Sequence, residues 1–259
     1  MTPGLPVVLV VPCFDEAARL PVQTFEAAID ASDLGLVFVD DGSGDDTPAL
    51  LGRLAGREPG RITVLRATSN RGKAEAVRIG MAAARLAGPR YVGYWDADLS
   101  TPLAALPDFV AFLDANPQCH MVLGSRVKAM GRTIDRRTIR HYAGRVFATA
   151  ASASLGLPIY DTQCGAKLFR ATSDVWRLFD QPFVSRWAFD VEVLARYIRQ
   201  CGSRQVASDR LEELPLRVWR HVPGSKVRPH HLLRALIDLW RIRQRYLRGR
   251  IAATADPAP

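Results

Sequence analysis

Five short apolar runs, at residues 7–11, 36–39, 62–65, 91–95 and 121–124, alternate with stretches of helical periodicity at 17–31, 46–54, 73–86 and 102–116. This alternation constrains the fold more than any other feature of the chain. Strands separated by helices cannot pair as hairpins, so the pattern predicts an α/β protein with a doubly wound, mostly parallel sheet. The connections are short enough for right-handed crossovers. Local signals punctuate the pattern: Thr101-Pro102 reads as a cap followed by proline at the first helical position, and Gly88-Pro89 as a stop. Asp45 and Asp46 read as caps for the helix that follows them.

Beyond residue 125 the rhythm changes. Residues 126–153 are basic and then helical, 161–170 form a compact strand-like segment, 186–200 a helix, and 213–218 a late strand. A final helical stretch, 230–251, carries arginines at 234, 241, 243, 245, 248 and 250. Its apolar positions Leu232, Leu233, Leu236, Leu239, Trp240, Tyr246, Leu247 and Ile251 fall broadly on one side. The expected organisation is a catalytic domain over 1–228, a basic amphipathic helix over 229–251 and a disordered tail over 252–259.

The net charge of +9 is unevenly spread, because arginines crowd 126–145 and 217–250 while 40–46 is acidic. Basic blocks of this kind suit phosphates, nucleic acid or an anionic membrane. No apolar run approaches the ~20 residues that span a bilayer, and the N-terminal segment reads as a strand rather than a leader. Four scattered cysteines without Cys-x-x-Cys spacing indicate neither zinc nor a disulfide framework and fit a reduced, cytoplasmic setting.

The chemistry concentrates where the strands end. The fourth apolar run closes on Trp95-Asp96-Ala97-Asp98. Unpaired carboxylates are costly to desolvate, so two acids at the carboxyl end of a strand call for a partner. Two hard oxygen donors suit Mg²⁺ or Mn²⁺, which in turn can hold a diphosphate. The first strand ends in Val11-Pro12-Cys13-Phe14-Asp15-Glu16, and the second in Val39-Asp40-Asp41-Gly42-Ser43. Asn70-Arg71-Gly72-Lys73 opens the third helix, where glycine and lysine can favour phosphate, although the Walker spacing is absent.

Taken in order and at this spacing, these four motifs resemble the family 2 glycosyltransferases of the GT-A fold. Gly124-Ser125-Arg126, the run from Asp161-Thr162-Gln163-Cys164-Gly165 to Phe169, Arg186 to Glu192, Val218-Trp219 and Pro223-Gly224-Ser225-Lys226 resemble the dolichyl-phosphate β-glucosyltransferase branch. The likeness covers roughly residues 7–228. It implies that the Pro12 loop, with Asp15 and Glu16, and Asp41 contact base and ribose, and that Lys73 lies near the nucleotide. Asp96 would contact the sugar nucleotide and, with Asp98, hold the divalent cation (Mg²⁺ or Mn²⁺). Arg126, Arg140 and Lys167 would receive an acceptor phosphate, and Gln163 and Asp190 would line the donor-sugar or acceptor side. The chain departs from the family pattern at Asp15 (commonly Asn), Ala17 (often Glu), Ala74 (usually Gly) and Ala166 (commonly Phe).

The implied reaction is inverting transfer of a hexose, glucose from UDP-glucose, to a polyprenyl or dolichyl phosphate. GDP-mannose as donor and a hydroxyl acceptor are alternatives. A hydroxyl would need a general base, for which Asp190 is the candidate, making Asp98 and Asp190 the expected catalytic pair. A phosphate is already anionic and needs cations, which Arg126, Arg132, Arg136, Arg137 and Arg140 would supply. A metal-dependent nucleotidyltransferase would carry a glycine-rich basic loop where this chain has Pro12 to Glu16. Nucleic acid is not an expected partner, because the basic clusters sit beside the glycosyltransferase motifs. The helix at 230–251 is expected either to lie on an anionic leaflet, making the protein peripheral at the cytoplasmic face of a membrane, or to pack on the domain.

Overall fold

Strands whose residues are apolar throughout must be covered on both faces, and the first two runs of this chain obey that rule. The computed structural model describes residues 1–2, 4–135, 138–223 and 230–248, with 138–143 and 230–233 as backbone only. Its strands are β1 (Val7–Cys13), β2 (Leu34–Asp40), β3 (Ile62–Arg66), β4 (Tyr91–Tyr94), β5 (Met121–Ser125), β6 (Thr133–Ile134), β7 (Lys167–Arg170), β8 (Leu211–Pro215) and β9 (Val218–Trp219). The helices are α1 (Val22–Asp30), α2 (Thr47–Arg57), α3 (Lys73–Arg85), α4 (Leu106–Ala115), α5 (Thr138–Leu155), α6 (Ser173–Arg177), α7 (Phe189–Cys201), α8 (Arg204–Ser208) and α9 (His230–Ile242). Arg136 and Arg137, the Arg140 side chain, the motif from Gly224 onward, the 228/229 boundary, Arg250, Ile251 and the tail lie outside the described residues.

Seven strands form one sheet in the order β3-β2-β1-β4-β7-β5-β8, and β6 pairs with β9 separately. Strands β1 to β4 run parallel, with Val10 facing both Val37 and Tyr94. The chain winds one way from β1 to β2 and β3 and the other way to β4, so a crevice opens beyond the carboxyl ends of β1 and β4. One core layer packs α1, α2 and α4 against the sheet. The other unites α3, α5, α6, α7 and α9.

Three expectations need correction. The strand-like segment 161–170 is a strand only over β7, and β7 lies antiparallel between β4 and β5. Gly93 permits this, since a Cβ there would stand 2.2 Å from the Lys167 carbonyl oxygen. The late strand breaks at the buried Leu216 into β8 and β9. Helix α1 starts five residues late, because Glu16 and Ala17 donate their backbone N–H groups to Thr47 Oγ1 (2.8 Å) and Asp45 Oδ2 (3.0 Å) instead of entering a helix. Smaller shifts follow the same logic. Pro102 is extended, and Pro107 occupies the first turn of α4. Residues 186–188 precede α7 as a loop.

Helix α9, continued by a π-helical turn over Arg243–Leu247, does not carry on one side the apolar residues whose side chains are described. Ala235, Leu239, Ile242 and Leu247 are buried with Phe147 and Ala151 of α5 and Tyr197 of α7, whereas Leu236, Ile237 and Trp240 face solvent. Polar ties add to the packing: Ser185 Oγ donates to Asp238 Oδ2 (2.6 Å), and Tyr246 OH to Glu192 Oε1 (2.9 Å). Among the described residues no helix is long and apolar enough to cross a membrane.

Candidate active site

The loops after β1 and β2 are laced together before any ligand is considered. Asp15 takes a left-handed backbone (φ 47°), which Asn and Asp tolerate better than other residues, so the departure from Asn costs little here. Its Oδ1 accepts the Gly44 N–H at 2.8 Å, while its own N–H donates to Ser43 Oγ at 2.9 Å. Asp40 is buried and accepts from the Ser43 N–H at 3.0 Å. Asp45 caps α2 by accepting from the Thr47 N–H at 3.0 Å, whereas Asp46 makes no capping bond.

Asp41 does something sequence reading did not foresee. Its two carboxylate oxygens accept the backbone N–H groups of Arg71 (2.8 Å) and Gly72 (2.7 Å). The second strand's acid thus fixes the start of α3, and with it Lys73. Gly72 (φ 95°) is needed at that corner, where a Cβ would also meet the Arg186 guanidinium at 2.8 Å.

Lys73 Nζ reaches Asp96 Oδ1 at 2.6 Å. Burial works against the ammonium, but Asp96, Asp190 and Asp98 outweigh it and raise its pKa above the ordinary lysine value. Burial likewise opposes ionisation of Asp96, yet Lys73, Arg126 and Lys167 overcome it and hold the carboxyl below its ordinary value. Both groups are charged at neutral pH. Gly165 closes over this pair so tightly that a Cβ would stand 1.8 Å from Asp96 Oδ2.

Asp98 is held differently. Oδ1 accepts from Ser100 N (3.0 Å) and Ser100 Oγ (2.7 Å), and Oδ2 lies 3.4 Å from Arg19 Nη1. Arg19 also pairs with Glu16 at 2.5 Å. Between Asp98 and Ser100, Leu99 adopts φ 49°, a strained value for a branched residue and of the kind that clusters at functional sites.

Across the crevice, at the end of β5, Arg126 grips Asp161 bidentately through Nε (2.6 Å) and Nη2 (2.7 Å). Its guanidinium lies 5.4 Å from the Trp219 ring centre. Glu213 anchors the Asp161 segment by accepting the backbone N–H groups of Tyr160 (2.6 Å) and Asp161 (2.7 Å), and burial raises its pKa. The Gln163 Nε2 in this turn is buried without a hydrogen-bond partner among the described residues.

Two residues expected at the substrate are engaged in structural contacts instead. Lys167 is 1% exposed, and Nζ donates to Asp190 Oδ1 (2.5 Å), Thr162 O (3.0 Å) and Cys164 O (2.6 Å). An ammonium has three protons, so none remains for an acceptor phosphate. Asp190 is 4% exposed and its Oδ1 also accepts the Tyr94 hydroxyl at 2.6 Å, so the carboxylate expected to act as a base is tied to the core through that oxygen. The pair holds the 162–164 turn against β4. Arg126 is also committed on its Nε edge, which restricts any bidentate grip on phosphate to its Nη edge. Arg132, expected among the phosphate cations, donates instead to the Pro215 and Leu216 carbonyls.

Pro12, Asp15, Glu16, Asp41, Lys73, Asp96 and Asp98 therefore gather at the carboxyl ends of β1, β2 and β4, with Arg126 and Gln163 on the wall made by β5 and the turn before β7. Sequence reading missed Arg19, Ser100 and Glu213, and met Asp161 only as part of a family motif. Arg19 and Ser100 stood within three residues of recognised acids, a spacing that could have flagged them. Among the described residues no group of three or more His, Cys, Asp or Glu is arranged to hold a metal.

Residues 8–176 match the family described as "Glycosyl transferase family 2". The chain is 32% identical over 274 residues to a dolichyl-phosphate beta-glucosyltransferase of Drosophila melanogaster, covering 96% of this chain and 77% of that protein. It is also 32% identical to the Homo sapiens protein of the same description, over 93% of this chain and 76% of the relative. Among solved structures, glucosyl-3-phosphoglycerate synthase from Mycobacterium tuberculosis, in complex with Mn²⁺, UDP and glucosyl-3-phosphoglycerate, superposes with a TM-score of 0.65. That alignment has 17% identity and covers 92% of this chain and 79% of the other.

Proposed function

Because the chain belongs to glycosyl transferase family 2, we propose that it moves a hexose, with inversion, from a nucleoside diphosphate sugar to a polyprenyl phosphate. UDP-glucose and a dolichyl-type phosphate are the preferred pair, supported by the 32% identity to relatives described as dolichyl-phosphate beta-glucosyltransferases. The observation that carries the choice of acceptor is the burial of Asp190 against Lys167 and Tyr94. With that carboxylate turned inward, the site favours a nucleophile that needs no base. A phosphate monoester, with its second pKa near ~6, is such a nucleophile.

In this reading the β1 and β2 loops receive the base and ribose, with Pro12, Asp15 and Glu16 at the rim and Asp41 acting through the Arg71–Gly72 backbone. The donor set fits a divalent cation: the Asp98 Oδ2 lies 3.4 Å from Arg19 Nη1, a long contact, and Mg²⁺ or Mn²⁺ commonly takes one or two carboxylates plus substrate phosphates. Asp96 is the weaker ligand because Lys73 already holds its Oδ1. When bound, the cation offsets the charge that develops on the departing diphosphate. Lys73 adds a fixed positive charge beside the same group, and Arg126 presents its Nη edge to the acceptor phosphate, with Gln163 Nε2 available to the sugar. An acceptor oxygen bonds to the anomeric carbon as the bond to the diphosphate breaks, and the nucleoside diphosphate leaves. A lipid acceptor places the enzyme at a membrane surface, and four free thiols suit the cytoplasmic face.

The test is nucleoside diphosphate release from UDP-glucose and GDP-mannose, with polyprenyl phosphate or the free polyprenol as acceptor and with or without Mn²⁺. Release from UDP-glucose that requires the phosphate and the cation is expected, with a hexosylated lipid on extraction. Faster release from GDP-mannose would reassign the donor. Equal use of the free alcohol would remove the acceptor reading, and release of inorganic pyrophosphate would indicate a nucleotidyltransferase.

A further inference from the structure

Helix α9 is attached to the protein by one face and is apolar on the other. Ala235, Leu239 and Ile242 point into the core, while Leu236, Ile237 and Trp240 are 39%, 47% and 62% exposed. At 100° per residue the three exposed side chains form one stripe, with Arg243 along one flank and Arg234 and Arg241 along the other. Residues 230–248 contain five arginines against a single acid, Asp238. That acid is engaged by Ser185 Oγ at 2.6 Å and by Arg241 at 3.5 Å. An exposed tryptophan flanked by arginines that outnumber the acids of the segment five to one is more than packing against the domain requires.

We infer that this face is the surface by which the enzyme sits on an anionic membrane. The chemistry matches: a shallow apolar stripe carrying tryptophan enters the headgroup region, and flanking arginines meet lipid phosphates. A second copy of the chain is the weaker occupant, because three side chains cover far less than the ~1,000 Å² that a specific protein interface needs, and facing arginines would repel. The helix is also tied to the crevice. Ser185, which holds Asp238, precedes Arg186, and Arg186 donates to the carbonyls of Arg71 (2.8 Å) and Asn70 (3.1 Å) in the loop that starts α3. A membrane-seated α9 would thus be linked through Ser185 and Arg186 to the loop that starts α3, on an enzyme whose proposed lipid acceptor resides in the bilayer. That consequence rests on the proposed acceptor; the membrane contact itself does not.

The full chain is tested by co-sedimentation with vesicles of phosphatidylcholine containing phosphatidylglycerol, and with phosphatidylcholine alone, no acceptor lipid being present. Partitioning should favour the anionic vesicles and fall sharply in 0.5 M salt, a concentration chosen to shorten screening to roughly 4 Å. The Leu236→Ser/Ile237→Ser/Trp240→Ser variant should bind them about ten-fold less, and Arg241→Gln/Arg243→Gln about ten-fold less as well. Both variants should keep UDP release with a short, water-soluble prenyl phosphate and lose it with acceptor embedded in vesicles. Wild type that ignores anionic vesicles, or variants that bind them like wild type, would overturn the inference. So would variants that convert a dimer to a monomer with vesicle binding unchanged. Absence of turnover with any lipid phosphate while vesicle binding persists would instead count against the acceptor reading alone.

Discussion

Replacing Gly165 with alanine tests whether the Asp96 carboxylate must stand where it does. Gly165 has no left-handed backbone angle, so alanine is conformationally acceptable there. The obstacle is space: the new Cβ would lie 1.8 Å from Asp96 Oδ2 and 2.1 Å from its Cγ. Ordinary carbon contacts begin near ~3.5 Å, so the carboxylate must retreat by about 1.5 Å. A shift of that size displaces the carboxylate from the position at which it meets Lys73 at 2.6 Å. The energetic loss is modest, about 1–3 kcal/mol for overpacking and under ~1 kcal/mol for a partly exposed ion pair. A domain with ~5–15 kcal/mol of stability remains folded, with Tm lowered by several degrees. Turnover should suffer far more, since a misplacement of ~1 Å in a reacting site costs on the order of 100-fold. The assay is kcat/KM for nucleotide release beside a thermal melt followed by circular dichroism. A folded variant with activity within two-fold of wild type would refute the view that Lys73 and Asp96 act as a positioned pair.

Further outcomes are expected elsewhere in the site. Asp98→Asn keeps the Ser100 contacts but removes the charge; metal-dependent stimulation should disappear and turnover fall at least ~100-fold with Tm nearly unchanged, so retained Mn²⁺ stimulation would exclude Asp98 as a ligand. Lys167→Met leaves Asp190 buried and unpaired, which should cost about 3–5 kcal/mol in urea unfolding, whereas Lys167→Met with Asp190→Leu should recover much of it; equal losses in both would show that the pair does not matter as a pair. The Lys73–Asp96 contribution to stability has a defined pH window. Lys73, raised in the folded protein, contributes fully below its unfolded value of 10.5 and loses that contribution as pH climbs through its higher folded value. Asp96, lowered, contributes above its unfolded value of 3.8 and loses it as pH falls through its lower folded value. The stability difference between wild type and Lys73→Met should thus be flat from about pH 5 to 9 and shrink outside it; a step near neutrality would implicate another group.

What could be read from the sequence was what neighbouring residues decide among themselves. Continuous apolar runs at 7–11 and 36–39 dictated central strands, and acids or a Gly-Lys pair just past each run placed the chemistry at one edge of the sheet. These are local facts, because hydrophobic periodicity records which face of an element is buried and strand ends follow directly from where the period stops. The positions of Asp15, Asp41, Lys73, Asp96 and Asp98 just past strand ends were legible for that reason, and their roles came from the family resemblance. The antiparallel insertion of β7 was not, since the pairing of Gly93 with Leu168 joins residues far apart in the chain and leaves no periodic trace. The same holds for side chains with two plausible fates: Lys167 and Asp190 read as a phosphate ligand and a base, and their 2.5 Å contact inside the core became visible only in the structure. Helix α9 was legible as amphipathic and basic, but which apolar residues face inward depended on where α5 and α7 stand. Charge and hydrophobicity are properties of a residue; whether they are spent on the protein or offered to a ligand is settled only by what the fold brings alongside.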